Sequence, residues 1–324
     1  MEGQVNAAQE GRLREIGMTV AADDGLVIAG TLALPEGEGP YPAMVLSWPI
    51  QLDREANRGG ARLNLGRPTA EALAAKGVAS YRFDPRGVGE TPGAARTTPL
   101  ARYRQDAAAV LRAVAARPDV STVGAIGYSE GAEQAAWLAA HAGAASAVLL
   151  GCAAQTGEEV YLWGAARWGK DDLPSPVRMA LRLLGRTPQE QVRRMFAKLK
   201  AAKGDTARIY GFPVSRAFRE WLTYDPKRDF EAIRVPVLAI TGEKDLNVDL
   251  DDLDVIDDLV HGPVETRRFP DLTHLLRCDP GPASRRTYRE QYARPVDPGL
   301  LEEVATFVSS AGRAGGPGDA SPCS

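Results

Sequence analysis

A serine flanked by glycines is the most distinctive chemical feature of this sequence. Residues 127–131 read GYSEG, which matches the pattern G-x-S-x-G. The motif spans the point where a short apolar run at 122–128 ends and a helical pattern at 129–142 begins. A serine at such a strand-to-helix turn has a strained backbone and an exposed hydroxyl, and the helix N-terminus favours negative charge beside it. The motif therefore predicts a nucleophilic Ser129, although a serine that only caps the helix has the same spacing.

A serine needs a base to become nucleophilic at neutral pH, and the sequence has three histidines. His141 lies about 18 Å from Ser129 along the predicted helix, at about 1.5 Å per residue. His261 precedes a strand, which places it at the opposite edge of a parallel sheet. His274 follows the last predicted strand, at 264–269, and so shares the carboxyl edge with Ser129. By elimination, His274 is the predicted general base.

The acid that orients this histidine should come from a loop at the same edge of the sheet. Asp245 follows a strand predicted at 235–242 and is the preferred residue. It would hold the histidine in one tautomer and stabilise the imidazolium that forms when the serine loses its proton. Other acids nearby remain alternatives, and most of them fit the solvated face of a helix better. These alternatives are Glu243, Asp249, Asp251, Asp252 and Asp254.

Short β-rich runs alternate with amphipathic helical patterns along most of the chain. Helices are predicted at 68–76, 98–116, 129–142, 249–260 and 298–309. The predicted strands are a hairpin within 18–34 and buried runs at 43–48, 78–83, 122–128, 147–151, 235–242 and 264–269. This alternation indicates a mostly parallel sheet with helices on both faces. Such a sheet gathers the ends of its strands, and hence the predicted site, at one edge.

One segment interrupts this alternation. Residues 152–230 have no strong strand pattern, contain three of the five tryptophans and carry 15 Lys and Arg against nine Asp and Glu. A shift in composition between two sheet strands predicts a separate helical cap. The predicted organisation is a core at 17–151 and 231–310, this cap, a polar N-terminal segment at 1–16 and a disordered tail at 311–324.

Composition excludes several classes of protein. The 324 residues carry a formal net charge of −3, so no positive field would gather nucleic acid or anionic lipid. Three distant cysteines, Cys152, Cys278 and Cys323, exclude a disulfide framework and a cysteine zinc site, which fits a reducing cytoplasm. Neither an N-terminal apolar segment nor a run of about 18 apolar residues is present, so we expect no secretion and no membrane insertion. Motifs for metals, dinucleotides and nucleotide phosphates are missing, so we expect no metal and no cofactor.

The order of the three site residues resembles a known family. Ser129, Asp245 and His274, in that order and on those strand ends, are similar to the triad of the α/β-hydrolase superfamily. The resemblance covers about residues 18–310. It implies an α/β-hydrolase fold: a mostly parallel eight-stranded sheet, helices on both faces and an inserted helical cap.

Three further stretches carry the same resemblance. Residues 84–91, DPRGVGET, are similar to the D-x-R-G-x-G loop that follows the fourth strand in this superfamily. Residues 25–35, GLVIAGTLALP, resemble the opening hairpin of its esterase and acyl-peptidase-like members. Residues 52–55, LDRE, resemble the polar loop of its lysophospholipase-like members, although a charged surface loop explains them equally well.

The sequence departs from the superfamily at the oxyanion hole. Many members carry His-Gly-x-Gly after the third strand, whereas residues 47–51 here read SWPIQ. Proline has no N–H, so Pro49 cannot donate a hydrogen bond to an oxyanion. The predicted oxyanion residues are Glu130, through its backbone N–H, together with Trp48 or Ile50, or the side chain of Gln51.

The resemblance implies a serine hydrolase that cleaves a carboxylic ester through an acyl-Ser129 intermediate, with a bulky or partly apolar small molecule beneath the cap. The basic cap leaves open a substrate that is anionic or carrier-bound. A thioesterase, acyltransferase, cyclase or amide hydrolase uses the same triad, and a non-catalytic binding protein on this fold is a second alternative. The oligomeric state stays open between monomer and homodimer. The predicted substrate-binding residues are Trp48, Gln51, Tyr128, Tyr161, Trp163, Trp168 and Trp221.

Overall fold

A computed structural model describes residues 13–314, except for 168–174, 203, 205–206 and 210. The strands are β1 (Leu13–Ala21), β2 (Val27–Pro35), β3 (Tyr41–Ser47), β4 (Asn57–Arg58), β5 (Ala61–Arg62), β6 (Ala79–Phe83), β7 (Val120–Tyr128), β8 (Ala147–Leu150), β9 (Ala207–Ile209), β10 (Phe212–Val214), β11 (Val237–Lys244) and β12 (Val264–Thr273). The α-helices are α1 (Gly66–Ala75), α2 (Leu100–Ala115), α3 (Glu130–His141), α4 (Gly157–Arg167), α5 (Ser175–Leu183), α6 (Pro188–Ala201), α7 (Arg216–Trp221), α8 (Lys227–Ala232), α9 (Asp252–Leu259), α10 (Tyr288–Gln291) and α11 (Pro298–Ala314). A 3-10 turn, Arg285–Thr287, precedes α10.

Eight of the strands form one sheet in the order β1-β2-β6-β3-β7-β8-β11-β12. The first two pairings, β1 with β2 and β2 with β6, are antiparallel, and the other pairings are parallel. Parallel neighbours need crossover connections, and the intervening helices supply them. The predicted fold class, a mostly parallel eight-stranded sheet of the α/β-hydrolase type, is therefore confirmed.

The central strands of the sheet are buried on both faces, which is why they read as continuous apolar runs. On β3, Ala43 and Val45 pack into one hydrophobic cluster, whereas Met44 and Leu46 pack into a second cluster on the opposite face. Side chains alternate between the two faces of a strand, so a strand that is covered on both faces is mostly apolar at every position.

The first strand begins earlier than the hairpin predicted at 18–34. β1 starts at Leu13, so residues 13–16 of the predicted N-terminal segment pair with β2. β1 is an edge strand, and most of its side chains between Leu13 and Gly17 face solvent. Its pairing depends on the backbone, so its polar composition gave no strand signal. At the other end of the chain, α11 continues to Ala314.

The segment between β8 and β11 contains α4 to α8 and, contrary to prediction, a small hairpin of β9 and β10. Each of these strands has only three residues, too few to give a periodic pattern, and Gly211 at φ 85° allows the turn between them. A third hydrophobic cluster, which includes Phe196 and Leu222, joins this segment to Ile50 and Leu100 of the sheet domain. We refer to residues 152–230 as the cap.

Candidate active site

The turn that carries Ser129 depends on the glycines on either side of it. β7 ends at Tyr128 and α3 begins at Glu130, which leaves Ser129 alone at φ 54° and ψ −125°, in the left-handed region. A Cβ added at Gly127 would collide with the carbonyl of Gly131, and one added at Gly131 would collide with the backbone of Ser47. Only glycine therefore fits at these two positions, and the turn keeps its strained serine because its neighbours pack without side chains.

The structure brings the three predicted triad residues together. His274 Nε2 lies 3.2 Å from Ser129 Oγ, and His274 Nδ1 lies 2.7 Å from Asp245 Oδ2. The other oxygen of Asp245 accepts hydrogen bonds from the N–H groups of Asn247 at 2.7 Å and Val248 at 2.9 Å. Because Asp245 can only accept, Nδ1 of His274 donates to it, which leaves Nε2 free to accept the serine proton.

Burial strengthens the hydrogen bond between His274 and Asp245. The His274 and Asp245 side chains are only 6% and 2% exposed. Water therefore competes little for their hydrogen bond, and the imidazole keeps one orientation toward Ser129. An arrangement of this kind can activate a hydroxyl for attack on a carbonyl.

The other two histidines lie elsewhere, as their positions along the chain predict. His141 Nε2 is 2.8 Å from Asp229 Oδ1 at the far end of α3. His261 is exposed, and its Nδ1 lies 2.9 Å from the Leu259 carbonyl oxygen. Among the competing acids, Glu243 is exposed to solvent.

Asp252 differs from the solvated helix face that the sequence predicted. Its side chain is buried, with the residue 3% exposed, at the first position of α9. One oxygen accepts a hydrogen bond from Gln155 Nε2 at 3.0 Å, and the other has no partner within the described residues. Burial raises the pKa of this carboxyl to about 6. The prediction for Asp252 was wrong because Gln155, which packs against it, comes from a segment almost a hundred residues earlier.

A cavity of about 260 Å³ opens over Ser129 and His274. Its walls come from the loop after β3, from α3, from α4 and α7 of the cap, and from the loops after β8, β11 and β12. The lining residues are Pro49, Gln51, Ser129, Glu130, Glu133, Gly151, Ala153, Val160, Tyr161, Gly164, Phe218, Trp221, Asn247, Val248, His274 and Arg285. Three of the predicted substrate-binding residues, Gln51, Tyr161 and Trp221, are among them.

Three other predicted substrate-binding residues do not line this cavity. Tyr128 is buried in the cluster on the opposite face of the sheet, because it alternates with Gly127 along β7, and its ring lies 5.2 Å from that of His274. Trp48 is also buried there, and its indole N–H donates to the Arg54 carbonyl at 3.0 Å. Trp163 lies under the Arg167 guanidinium at 3.7 Å. Trp168, the seventh predicted residue, falls outside the described residues.

The predicted oxyanion residues differ in their position relative to the cavity. Glu130 is the first residue of α3 and lines the cavity, and a first-turn N–H has no intrahelical acceptor. The N–H groups of Ile50 and Gln51 donate to no protein acceptor within the described part of the chain. Ile50 lies between Pro49 and Gln51, which both line the cavity. The oxyanion role of each of these residues stays a prediction.

Two charged residues in the cavity wall were missed by the sequence analysis. Glu133 lies one helical turn after Glu130, and both of its oxygens accept from Trp221 Nε1, at 3.0 and 2.8 Å. The spacing of three residues on the helix that Ser129 begins was a signal for it. Arg285 donates to the Leu246 carbonyl at 2.8 Å and to Asn247 Oδ1 at 2.7 Å. It follows the last strand by twelve residues, in a stretch without periodicity, so no sequence pattern indicated it.

The D-x-R-G-x-G loop has a structural role. Asp84 accepts hydrogen bonds from the N–H groups of Arg54 and Glu90, at 2.8 Å each, and pairs with the Arg54 side chain at 2.6 Å. Arg86 pairs with Asp106 at 2.7 Å and also with an acid of the β1–β2 turn. The loop thus ties the segment after β3 to the sheet by buried ion pairs, and the LDRE stretch supplies Arg54 to this network.

No group of three or more potential metal ligands of the His, Cys, Asp and Glu types occurs in the described part of the chain. Of the helices that the structure describes, none combines the length and the apolar character of a membrane span.

Comparisons with known proteins agree with this fold. Esterase EstD of Thermotoga maritima is 24% identical over 286 residues, a match that covers 87% of this chain. The chain spans only 65% of the length of that relative. Est1E of Butyrivibrio proteoclasticus, solved with bound ferulic acid, has a TM-score of 0.60 at 16% identity, over 90% of this chain and 96% of its own. An esterase of Pyrococcus furiosus, PF2001, has a TM-score of 0.60 at 16% identity, over 93% of this chain and 91% of its own.

A family model, described as serine aminopeptidase S33, matches residues 61–281. This match includes Ser129, Asp245 and His274 and spans more than half of the sequence. With the sheet order and the turn at Ser129 in agreement, the chain belongs to the S33 serine aminopeptidase family of α/β-hydrolases.

Proposed function

We propose that this protein is a serine hydrolase that cleaves a carboxylic ester of a small molecule. One observation carries the proposal: Ser129, His274 and Asp245 form a continuous hydrogen-bonded array whose serine faces a cavity. The neutral imidazole is oriented by a buried acid on one side and meets the hydroxyl on the other. This arrangement is costly to maintain, because it includes a strained serine and a buried carboxylate, and hydrolysis accounts for each part of it.

In the proposed reaction, Ser129 Oγ attacks the ester carbonyl while His274 Nε2 accepts its proton. The imidazolium then donates that proton to the departing alcohol oxygen, as the bond between the carbonyl carbon and this oxygen breaks. A water molecule next gives a proton to His274 and attacks the acyl carbon. His274 then returns this proton to Ser129 Oγ as the bond between Oγ and the acyl carbon breaks, which releases the acid and restores Ser129. Asp245 stabilises the imidazolium in both steps.

The oxyanion of the tetrahedral intermediate needs two donors. We propose the backbone N–H groups of Glu130 and Ile50, because among the described residues neither donates to a protein acceptor outside regular secondary structure. Pro49 precedes Ile50 and fixes the backbone where many relatives have a glycine. Trp48 is less suited, since it lies on the buried side of this loop.

An ester is the preferred substrate class because EstD, Est1E and PF2001 are all named esterases. The family description instead points to a peptide bond, which the same array would attack through the same acyl-enzyme. The leaving group distinguishes the two activities, so the substrate panel should contain matched esters, thioesters and amides of one acyl group. We place the activity in a reducing cytoplasm, since Cys152 is buried and Cys278 is free.

Covalent labelling tests the proposal directly. The intact mass of the protein is measured after treatment with a fluorophosphonate, which reacts with activated serines. We expect one adduct on the wild type, and none on Ser129→Ala or His274→Ala. Folded wild-type protein that stays unlabelled, while a small activated ester such as p-nitrophenyl acetate is also not hydrolysed, would favour the alternative of a binding protein that has lost turnover.

A further inference from the structure

A second cavity lies between α2, α3 and the cap, apart from the cavity over Ser129. Its volume is about 290 Å³, close to the lower limit of about 300 Å³ for small-molecule sites. Its walls include Leu100, Ala101, Arg104, Trp137, Glu220 and Tyr224. No residue lines both cavities, so the reaction proposed above gives this second one no role.

Arg104 of α2 brings a positive charge to this second cavity. The residue lines the cavity and is only 8% exposed. In the described part of the chain, no carboxylate forms an ion pair with it, and no carbonyl oxygen accepts a hydrogen bond from it. A guanidinium has five N–H donors, and a buried one is normally paired. Arg104 therefore has donors to offer a ligand.

Two acids of α3 respond to the charge of Arg104 without pairing with it. Burial raises the pKa of Glu130 to about 7 and that of Glu133 well above its ordinary value, while Arg104 acts in the opposite direction. Both acids therefore hold protons up to about neutral pH. They carry too little negative charge to neutralise the guanidinium.

The acid in the wall of the second cavity is engaged by other partners. Glu220 accepts a hydrogen bond from Arg216 Nε at 2.7 Å and another from the Leu100 backbone N–H at 2.8 Å. Each of its two oxygens thus has a donor, and Arg216 offsets its charge. The positive charge of Arg104 stays available to a molecule in the cavity.

Aromatic rings flank this guanidinium. Its central carbon lies 3.8 Å from the centre of the Tyr224 ring and 5.9 Å from that of Trp137. The Tyr224 hydroxyl donates to Asp229, and the Trp137 ring packs against that of His141 at 5.5 Å, so both rings are held in place. Contact with aromatic faces orients a guanidinium while leaving the cavity apolar surface. The second cavity thus combines one positive charge with flat apolar walls.

We propose that this second cavity binds a small carboxylate that carries a flat apolar group. The guanidinium of Arg104 can donate two parallel hydrogen bonds to the two oxygens of one carboxylate. Trp137 and Tyr224 can cover a ring attached to it. The inference goes beyond the proposed function, because binding here involves neither the triad nor the catalytic cavity.

The test compares benzoate with two molecules that each lack one of its features. Benzamide has the same shape without the charge, and acetate has the charge without the ring. Each is titrated calorimetrically into the wild type at neutral pH. We expect benzoate to bind at least about 10-fold more tightly than benzamide, as charge-assisted hydrogen bonds provide. We also expect it to bind at least about 10-fold more tightly than acetate, because the ring buries apolar surface.

Two variants locate the bound benzoate. Arg104→Gln removes the charge and the paired donors, so the preference for benzoate over benzamide should disappear. Ala101→Trp fills the cavity from an exposed position of α2 and leaves Arg104 in place, so it decides if Arg104→Gln does not fold. We expect it to weaken benzoate binding at least about 10-fold. Arg112→Gln, an exposed arginine of α2 that pairs with Asp23, is the matched control and should bind benzoate as the wild type does.

Benzoate bound in the catalytic cavity instead would give a different pattern. Its affinity would then be the same in the wild type, Arg104→Gln and Ala101→Trp, and this result would overturn the inference. Equal affinity of the wild type for benzoate and benzamide would overturn it as well. Ser129→Ala should bind benzoate as tightly as the wild type. Since binding needs no turnover, these outcomes do not depend on whether the protein cleaves esters.

Discussion

The two sides of the cavity are built in different ways. On the sheet side, Ser129, His274 and Asp245 are fixed by hydrogen bonds of 2.7 to 3.2 Å among side chains from three separate loops. On the cap side, Tyr161 meets Phe218 and Trp221 by edge-to-face ring contacts at 5.8 and 6.0 Å. Directional bonds specify atom positions, whereas aromatic packing specifies mainly volume. The sheet side can thus set the chemistry while the cap side sets what fits.

The cap also leaves more apolar surface uncovered. On α5, Met179 is 63% exposed and Leu183 is 83% exposed, whereas the central strands of the sheet have both faces covered. Polar contacts also connect the two sides, among them Trp221 with Glu133 and Gln155 with Asp252. The following predictions test this division, from the catalytic array to the joint between core and cap.

The largest effect should come from the nucleophile. Ser129→Ala removes the only proposed attacking atom, so kcat for p-nitrophenyl acetate should fall about 10⁶-fold. Ser121→Ala, an exposed serine at the other end of β7, is the matched control and should keep wild-type kcat. Steady-state kinetics on both variants give the comparison. Turnover near the wild-type level in Ser129→Ala would remove the proposed mechanism.

Asp245→Asn should have the next largest effect. The amide no longer requires a donor at His274 Nδ1, so the wrong tautomer becomes populated and kcat should fall about 10⁴-fold. Glu243→Gln changes the exposed acid two residues earlier and should stay within about 2-fold of wild type. If kcat fell about 10⁴-fold in Glu243→Gln and stayed near the wild-type value in Asp245→Asn, Glu243 would be the orienting acid.

On the cap side, changes should be smaller and should depend on the substrate. Trp221→Phe removes the only donor to Glu133 in the described residues and some apolar surface, so kcat/KM for a bulky ester should fall about 10-fold. Trp163→Phe, a tryptophan of the cap outside the cavity, should change this value by less than about 2-fold. Equal losses in both variants would mean that the cap acts through its overall packing and not through the cavity wall.

The contact between Asp252 of the core and Gln155 of the cap allows a test of stability. The pKa of Asp252 is about 6 in the folded protein against an ordinary 3.8, so the folded state binds the proton more tightly between these values. The free energy of unfolding therefore falls as the pH rises from about 4 to about 6, and above pH 6 the wild type bears the full cost. Asp252→Asn avoids this cost and keeps an acceptor for Gln155. It should be more stable than wild type by about 1 to 3 kcal/mol at pH 8 and by little at pH 4.

Urea denaturation at the two pH values measures this difference. Asp251→Asn changes the exposed neighbour. Its difference in the free energy of unfolding from the wild type should be the same at both pH values. A stabilisation by Asp252→Asn that is equal at pH 4 and pH 8 would show that ionisation of this carboxyl is not its cause.

Features that depend on local pattern could be predicted from the amino-acid sequence alone. The apolar strand runs and the amphipathic helices between them predicted the parallel sheet, because each strand covered on both faces must be apolar throughout. The GYSEG turn predicted the position of Ser129, because glycines alone permit its close backbone contacts. The positions of His141, His261 and His274 relative to strand ends were enough to select one histidine, because a parallel sheet has only one carboxyl edge.

The contacts between distant side chains became visible only in the folded protein. It turned Tyr128 and Trp48 to the buried face of the sheet and left Gln51 in the cavity, a choice made by the packing of two clusters. It buried Asp252 against Gln155, and it brought Glu133 to Trp221 across 88 residues. Such contacts follow from the summed packing of many elements, so no local pattern records them. Composition could say that the cap is aromatic and basic, but only the folded cavity gave an acidic wall beside the serine.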